Sequence, residues 1–217
     1  MALLVKICGI NAADSADAAV RAGADFGGLV FHPKSPRNLT LEAAQSLAER
    51  MRGRLRLVAL VADADDEQIA AVLKAARPDY LQLHGTETPA RAAAVRARFG
   101  VPLIKAVAIA EAADLSSVPC FQQSCDMFLF DAKAPEGARR GGHGSPFDWQ
   151  LLRGRSFSRP WLLAGGLTPE NVARAVATSG APGVDVSSGV ETAPGIKSPE
   201  RIAAFVSAAR HEMEARA

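Results

Sequence analysis

Cys8 closes the stretch VKICGI and Asp131 sits near the end of FLFDA, and these two residue types together can move a proton. A thiol is a base only as thiolate, and its ordinary pKa of about 8.5 keeps it protonated at neutral pH unless a cation stands near. A carboxyl group in a partly dry site can hold its proton and act as the acid. Each residue also has a plainer explanation: a lone cysteine is commonly a small buried hydrophobe, and an aspartate after a strand commonly caps a loop. A nucleophilic thiol would want a histidine partner. His84, at the end of LQLHG, can serve, although no third orienting residue stands out. Small residues make a second candidate site: Gly165 and Gly166 in LAGGL, and Ser187, Ser188 and Gly189 in VSSGV. Such residues let backbone N–H groups approach an anion, and helix N-termini add partial positive charge. The plainer alternative is that these glycines only turn the chain. His32, Asp63 and Lys105 are further polar residues at or near strand ends.

These residues need elements to place them. An Ala-rich amphipathic segment repeatedly leads through Gly or Pro into a short aliphatic strand, as in AAVRAGADFGGLVF and AAVLKAARPDYLQLHG. Strands are expected at about 3–8, 26–31, 55–61, 79–84, 102–107, 127–131, 160–164 and 183–187. Ala44, Leu47, Ala48 and Met51 share one helix face, as do Ile69, Val72, Leu73 and Ala76. Thr88-Pro89, Thr168-Pro169 and Ser198-Pro199 are expected to open helices, with a capping residue ahead of a proline at the first helical position. Strict β–α alternation implies a parallel sheet. Eight units in a chain of this length fit a closed (β/α)8 TIM barrel of the α/β class, with residues 1–217 as one domain. The rival is an open doubly wound sheet, whose dinucleotide-binding form would want GxGxxG after the first strand; CGINAAD lacks it. In such barrels the site lies at the C-terminal strand ends, and phosphate often sits after strands 7 and 8.

Composition narrows the function classes. A net charge of +2 with no Lys/Arg-dense patch argues against nucleic acid as a partner. Three cysteines at irregular spacing make neither a disulfide framework nor a metal motif. The N-terminus lacks the pattern of a signal peptide, and no apolar run is long enough to span a membrane. The expectation is a cytoplasmic protein, monomer or homodimer, acting on a small anionic metabolite.

The motifs also share a family likeness. VKICGI, SPRNL, LQLHG, FDA, GGHGSPFDW, LAGGLTPENV and GVDVSSGVETAPGIKSP run in order from the first strand to the last helix. As a set they resemble phosphoribosylanthranilate isomerase of tryptophan biosynthesis. The resemblance implies an Amadori rearrangement of a phosphosugar, N-(5′-phosphoribosyl)anthranilate, to 1-(2-carboxyphenylamino)-1-deoxyribulose 5-phosphate. It aligns Cys8 with the general base, Asp131 with the general acid, Arg37 with the arginine that meets the anthranilate carboxylate, and Asp185 with an aspartate near the ligand. No net redox change is involved, so the resemblance implies neither cofactor nor metal. Three positions depart from the family's usual pattern: LVALVADAD at strand 3, His143 where GGTG carries threonine, and Ser198 where an aspartate is usual. Other readings are a different phosphosugar isomerase or epimerase on a phosphate-binding barrel, or a non-catalytic phosphosugar-binding protein. The histidine-pathway isomerase uses two aspartates, whereas strand 1 ends here in Cys8. An epimerase would want a metal cluster.

Lys6 then needs an explanation. Strand alternation puts it on the same side as Cys8, one layer deeper, where a buried ammonium needs a partner. In a closed barrel strand 8 neighbours strand 1, so Asp185 is the expected partner, and the pair is expected to help favour the Cys8 thiolate. The alternative is that Lys6 snorkels to the lower rim.

Overall fold

A computed structural model of the chain describes residues 3–133 and 147–214, with side chains through residue 211. His143 lies outside the described residues. Eight parallel strands close into a barrel in sequence order. They are β1 (Leu4–Cys8), β2 (Phe26–Phe31), β3 (Arg56–Val61), β4 (Tyr80–Leu83), β5 (Leu103–Ile109), β6 (Met127–Ala132), β7 (Trp161–Leu163) and β8 (Gly183–Val186). All eight fall where the alternating pattern places them. The outer layer holds α1 (Ala13–Ala22), α2 (Leu41–Met51), α3 (Asp66–Ala76), α4 (Pro89–Phe99), α5 (Val172–Ser179) and α6 (Pro199–Glu214). Short 3₁₀ helices stand at Ala112–Phe121 and Trp149–Leu152, and a third, Ser188–Val190, leads into a two-stranded ribbon of β9 (Glu191–Ala193) and β10 (Ile196–Lys197). Pro119 lies inside the first 3₁₀ segment, and a proline there cannot donate to an α-helical ladder.

Local chemistry explains most boundaries. Thr88 Oγ1 accepts from Arg91 N at 3.1 Å and Ser198 Oγ from Arg201 N at 3.1 Å, so both cap as expected. Thr168-Pro169 does not open a helix directly. Thr168 N donates to Asn171 Oδ1 at 2.8 Å, a local turn forms, and α5 starts only at Val172. The expected helix faces are inward: Ala44, Leu47, Ala48 and Met51 on α2 are buried, as are Ile69, Val72 and Ala76 on α3, with Leu73 half-buried beside them.

Register decides which residues share the lumen. Lys6 lies level with Phe26 and Asp185, Cys8 with Gly28, Leu60 with Gln82, Gln82 with Ile104, and Ala108 with Asp131. These residues all face inward; Phe26 and Ile104 belong to an apolar plug that also includes Val58, Met127, Leu129 and Leu162. Lys105, level with Leu83 and Phe128, faces the other way.

The opposite end of the barrel carries a repeated clamp. Asp25, Asp79 and Asp126 each stand one residue before β2, β4 and β6. Their carboxylates accept from the backbone N–H of Val5, Leu57 and Leu103 at 2.8, 2.6 and 2.9 Å, near the start of the preceding strand. Each aspartate's own N–H donates to the carbonyl of that same residue. Before β8 the corresponding residue is Pro182, and a single register pair, Leu163 with Val184, joins β7 to β8. Among the described residues, no helix is long and apolar enough to cross a membrane.

Candidate active site

The C-terminal strand ends enclose a cavity of about 480 Å³, lined by Cys8, Arg37, His84, Asp131, Asp185, Gly165, Gly166, Ser187 and Ser188 among others. That size suits a small-molecule ligand. Three strands and four loops thus bring nine of the ten expected site residues to one mouth.

On one wall, Cys8 ends β1 above Lys6. Lys6 is wholly buried, and its Nζ donates to Asp185 Oδ1 at 2.8 Å. The ammonium does not snorkel. Burial works against its charge, but Asp185 and Cys8 outweigh that and hold the lysine above its ordinary value. Gly28 makes the approach possible, because a Cβ there would stand 3.1 Å from Cys8 Sγ and 3.3 Å from Lys6 Nζ. Burial pushes the Cys8 thiol up. Lys6 and Lys197 pull it down and Asp185 pushes it up, and the balance lies above its ordinary value. The expected cation is therefore in place, yet it does not bring the thiol below its ordinary value.

On the other wall, Asp131 is the penultimate residue of β6, with Oδ2 3.3 Å from His84 Nε2, and its Oδ1 accepts from Ala132 N at 2.9 Å. His84 Nδ1 lies 2.9 Å from Gln82 Nε2. With the amide donating, Nδ1 accepts, and the ring proton sits on Nε2 facing the carboxylate. His84 was a candidate partner for the thiol; the barrel places it against Asp131 instead.

Arg37 follows β2 in the loop that holds Ser35 and Pro36. Its Nε and one terminal nitrogen grip Glu191 of β9 at 2.6 and 2.7 Å. Glu191 also accepts from Lys197 Nζ at 3.0 Å and from Gly195 N at 3.1 Å. Burial pushes the Glu191 carboxyl up, but Arg37 and Lys197 outweigh it and hold it below its ordinary value. Burial pulls Lys197 below the ordinary lysine value against the attraction of Glu191 and Cys8. Gly9, at φ +75°, leaves the space that the Arg37 stem occupies.

The two glycine loops meet at the far side of the mouth. Gly165, at φ +85°, packs against the backbone of Ala132 so closely that no side chain fits. Gly189 is not on the cavity wall. It lets the loop after β8 approach the Leu167 carbonyl, and its own carbonyl accepts from Arg201 at 3.2 and 3.1 Å. Asp63 and Lys105 serve the loop after β4. Lys105 Nζ donates to the Gly85 carbonyl at 2.9 Å and to Glu87 Oε2 at 2.8 Å, while Asp63 Oδ1 accepts from Thr86 N at 2.6 Å. Lys105 is thus a buried brace outside the lumen. Among the described residues, no three or more His, Cys, Asp or Glu side chains are grouped to hold a metal.

A family model described as N-(5′-phosphoribosyl)anthranilate (PRA) isomerase matches residues 5–208. The chain belongs to this family. An N-(5′-phosphoribosyl)anthranilate isomerase from Rhodopseudomonas palustris (strain BisB18) is 50% identical over 215 residues, 99% of each chain. The solved phosphoribosyl anthranilate isomerase from Thermotoga maritima superposes with a TM-score of 0.86 at 34% identity, covering 96% of this chain and 99% of that one. A second solved isomerase, in complex with reduced 1-(o-carboxyphenylamino)-1-deoxyribulose 5-phosphate, has a TM-score of 0.82 at 32% identity, covering 96% and 99%.

Glu191, which holds Arg37, and Lys197, which holds Glu191, lie inside the family motifs without a role of their own there. Glu191 and Lys197 flank the turn in VETAPGIKS. An acid and a base six residues apart around Pro-Gly carry the signal of a hairpin with facing charges. Gln82, inside LQLHG, was also missed; its alternation with His84 was the available clue.

Proposed function

We propose that this chain converts N-(5′-phosphoribosyl)anthranilate to 1-(2-carboxyphenylamino)-1-deoxyribulose 5-phosphate, with Asp131 as general acid and Cys8 as general base. The observation that carries the assignment is their placement. Cys8 and Asp131 face one another's side of a single mouth from β1 and β6, with Arg37 at one margin and the loops after β7 and β8 at another.

Asp131 gives its proton to the ribose ring oxygen. The C1′–O bond breaks, that electron pair stays on oxygen, and the anilino nitrogen supplies its lone pair to C1′ to form a protonated Schiff base. Cys8 as thiolate takes the proton from C2′, and the C–H electrons form the C1′=C2′ double bond of an enolamine while nitrogen regains its pair. A proton delivered to C1′ and the loss of the C2′ hydroxyl proton give the ketone. The atoms balance as an isomerisation.

The remaining residues bind and orient. The N–H groups around Gly165, Gly166, Ser187 and Ser188 suit the phosphate, with Gly189 holding the two loops together. Arg37 spends one edge on Glu191 and keeps its other terminal nitrogen for the aryl carboxylate, and Lys197 offsets the charge of Glu191 beside that anion. Asp185 holds Lys6 and lines the cavity, within reach of a sugar hydroxyl. Anthranilate fluorescence tests the function directly: purified protein should change it as substrate is converted. A folded, homogeneous preparation that leaves the signal constant would overturn the assignment.

A further inference from the structure

The floor beneath Cys8 is built with unusual care for a buried charge. Lys6 is wholly buried, bonded to Asp185, and reaches the sulfur through a notch at Gly28 that any side chain would narrow. A hydrophobic residue at position 6 would fill the same lumen layer without the cost of burying an ion pair. The position of the ammonium, under a thiol at the mouth, gives that cost a purpose.

We propose that Lys6 is the positioning residue that makes Cys8 a usable base, by stabilising the thiolate from below, and that Gly28 is the notch that brings the ammonium to the sulfur. The inference rests on Cys8 as the base and adds what activates it. Three charged groups act on the thiol through their fields: Lys6 from β1, Asp185 from β8 and Lys197 from β10. Lys6 is the one that stays charged throughout the working range, since its partners hold its proton more firmly than an ordinary lysine's. Burial loosens the proton of Lys197, which is also committed to Glu191 and to the Ser187 carbonyl at 3.2 Å. Asp185 opposes the thiolate directly but fixes the ammonium that favours it. No proton passes through Lys6. Its role is electrostatic, and the proton taken from C2′ resides on sulfur.

The test reads the thiol itself and the reaction separately. Ultraviolet thiolate absorbance of the purified enzyme, less that of Cys8→Ser, gives the Cys8 titration without substrate. Lys6→Met should raise its midpoint by about one pH unit or more and move the rising limb of kcat/KM upward in parallel, a loss of about tenfold in rate at neutral pH with little change in KM. Lys6→Arg keeps the charge and should recover part of both. Gly28→Ala keeps every charge and only separates them, so it should shift the titration in the same direction by less. It carries the test if Lys6→Met, with Asp185 left unpaired, does not fold. Lys197→Met should move the titration less than Lys6→Met. An unchanged Cys8 titration in folded Lys6→Met, or a larger shift from Lys197→Met, overturns the proposal. Full turnover in Cys8→Ala would instead remove Cys8 as the base, while the titration would still report what Lys6 does to the thiol.

Discussion

Cys8 and Asp131 line the same mouth of the barrel but in different surroundings. Cys8 is 4% exposed and stands over a wholly buried lysine, with Asp185 and Lys197 also acting on it. The Asp131 side chain is 15% exposed and meets the edge of His84, itself 18% exposed. A base that accepts a carbon-bound proton gains from a dry wall with fixed cations, because the charge it must carry is stabilised in advance. An acid that gives its proton to a ring oxygen must also be recharged, and an open edge with a ring beside it permits that. The same fold thus holds one proton-transfer group by enclosure and the other by access.

Removing the enclosed group should do most damage. Cys8→Ala should cost at least ~10²–10⁴-fold in kcat with the fold intact by circular dichroism, and Cys8→Ser should do nearly as much harm. Near-normal rates in either would break the contrast at its base side. Asp131→Asn keeps the shape and removes the transferable proton. It should lower kcat by ~10²-fold or more with a modest change in KM, the pattern of an interaction made in the transition state. If turnover and the acidic limb both survived, the acid would have to be sought elsewhere.

The pH profile sharpens the same contrast. Because burial pushes Cys8 above its ordinary value, kcat/KM in the free enzyme should keep rising with pH through neutrality and level off only on the alkaline side of the ordinary thiol range. A plateau reached below pH 8 would contradict the enclosed-base picture. Stability has the opposite orientation at Glu191. Its folded-state pKa is depressed, so the stability it contributes is present above its ordinary 4.5 and is lost as pH falls through the lower folded value.

Arg37→Ala should cost on the order of 10–100-fold in kcat/KM, since a hydrogen bond to a charged group is worth ~1.5–3 kcal/mol. A ligand lacking the aryl carboxylate should bind poorly to the native enzyme and no worse to the variant. Equal losses for both ligands would mean that Arg37 chiefly ties β9 to the loop after β2. The smallest effect is expected from Gln82→Leu, which removes the donor to His84 Nδ1 and frees the ring to change tautomer. A several-fold fall in kcat with a moved acidic limb is the expected result. An unmoved limb would separate His84 from the acid's work.

The barrel and the mouth were legible because they depend on patterns of period two and 3.6. Cys8, Asp131 and Asp185 fall out of strand parity once the number of strands is known, and the Lys6–Asp185 pair follows from barrel closure. Lys105 shows where parity alone fails. Every second position of LIKAVAI faces the helices, but both faces of a parallel strand are buried, so the apolar pattern does not say which. Thr168-Pro169 failed for a local reason, because Asn171 offers Thr168 N a competing bond. Glu191 was hidden by distance: its grip on Arg37 spans 154 residues and depends on the angle of a hairpin that no spacing rule encodes.

The aspartate clamps have a consequence for how the barrel opens. They staple β1 to β2, β3 to β4 and β5 to β6, which leaves β7 and β8 as the stave pair without such a clamp, joined by one register pair. Hydrogen exchange at the bottom of the barrel should therefore be fastest along that seam, since local opening follows the sparsest bonding. The loops proposed to take the phosphate rise from those two strands. An anion bound between them would act as a rivet at the top of a join that lacks one at the bottom, so inorganic phosphate should slow exchange at 161–163 and 183–186 more than in any clamped pair.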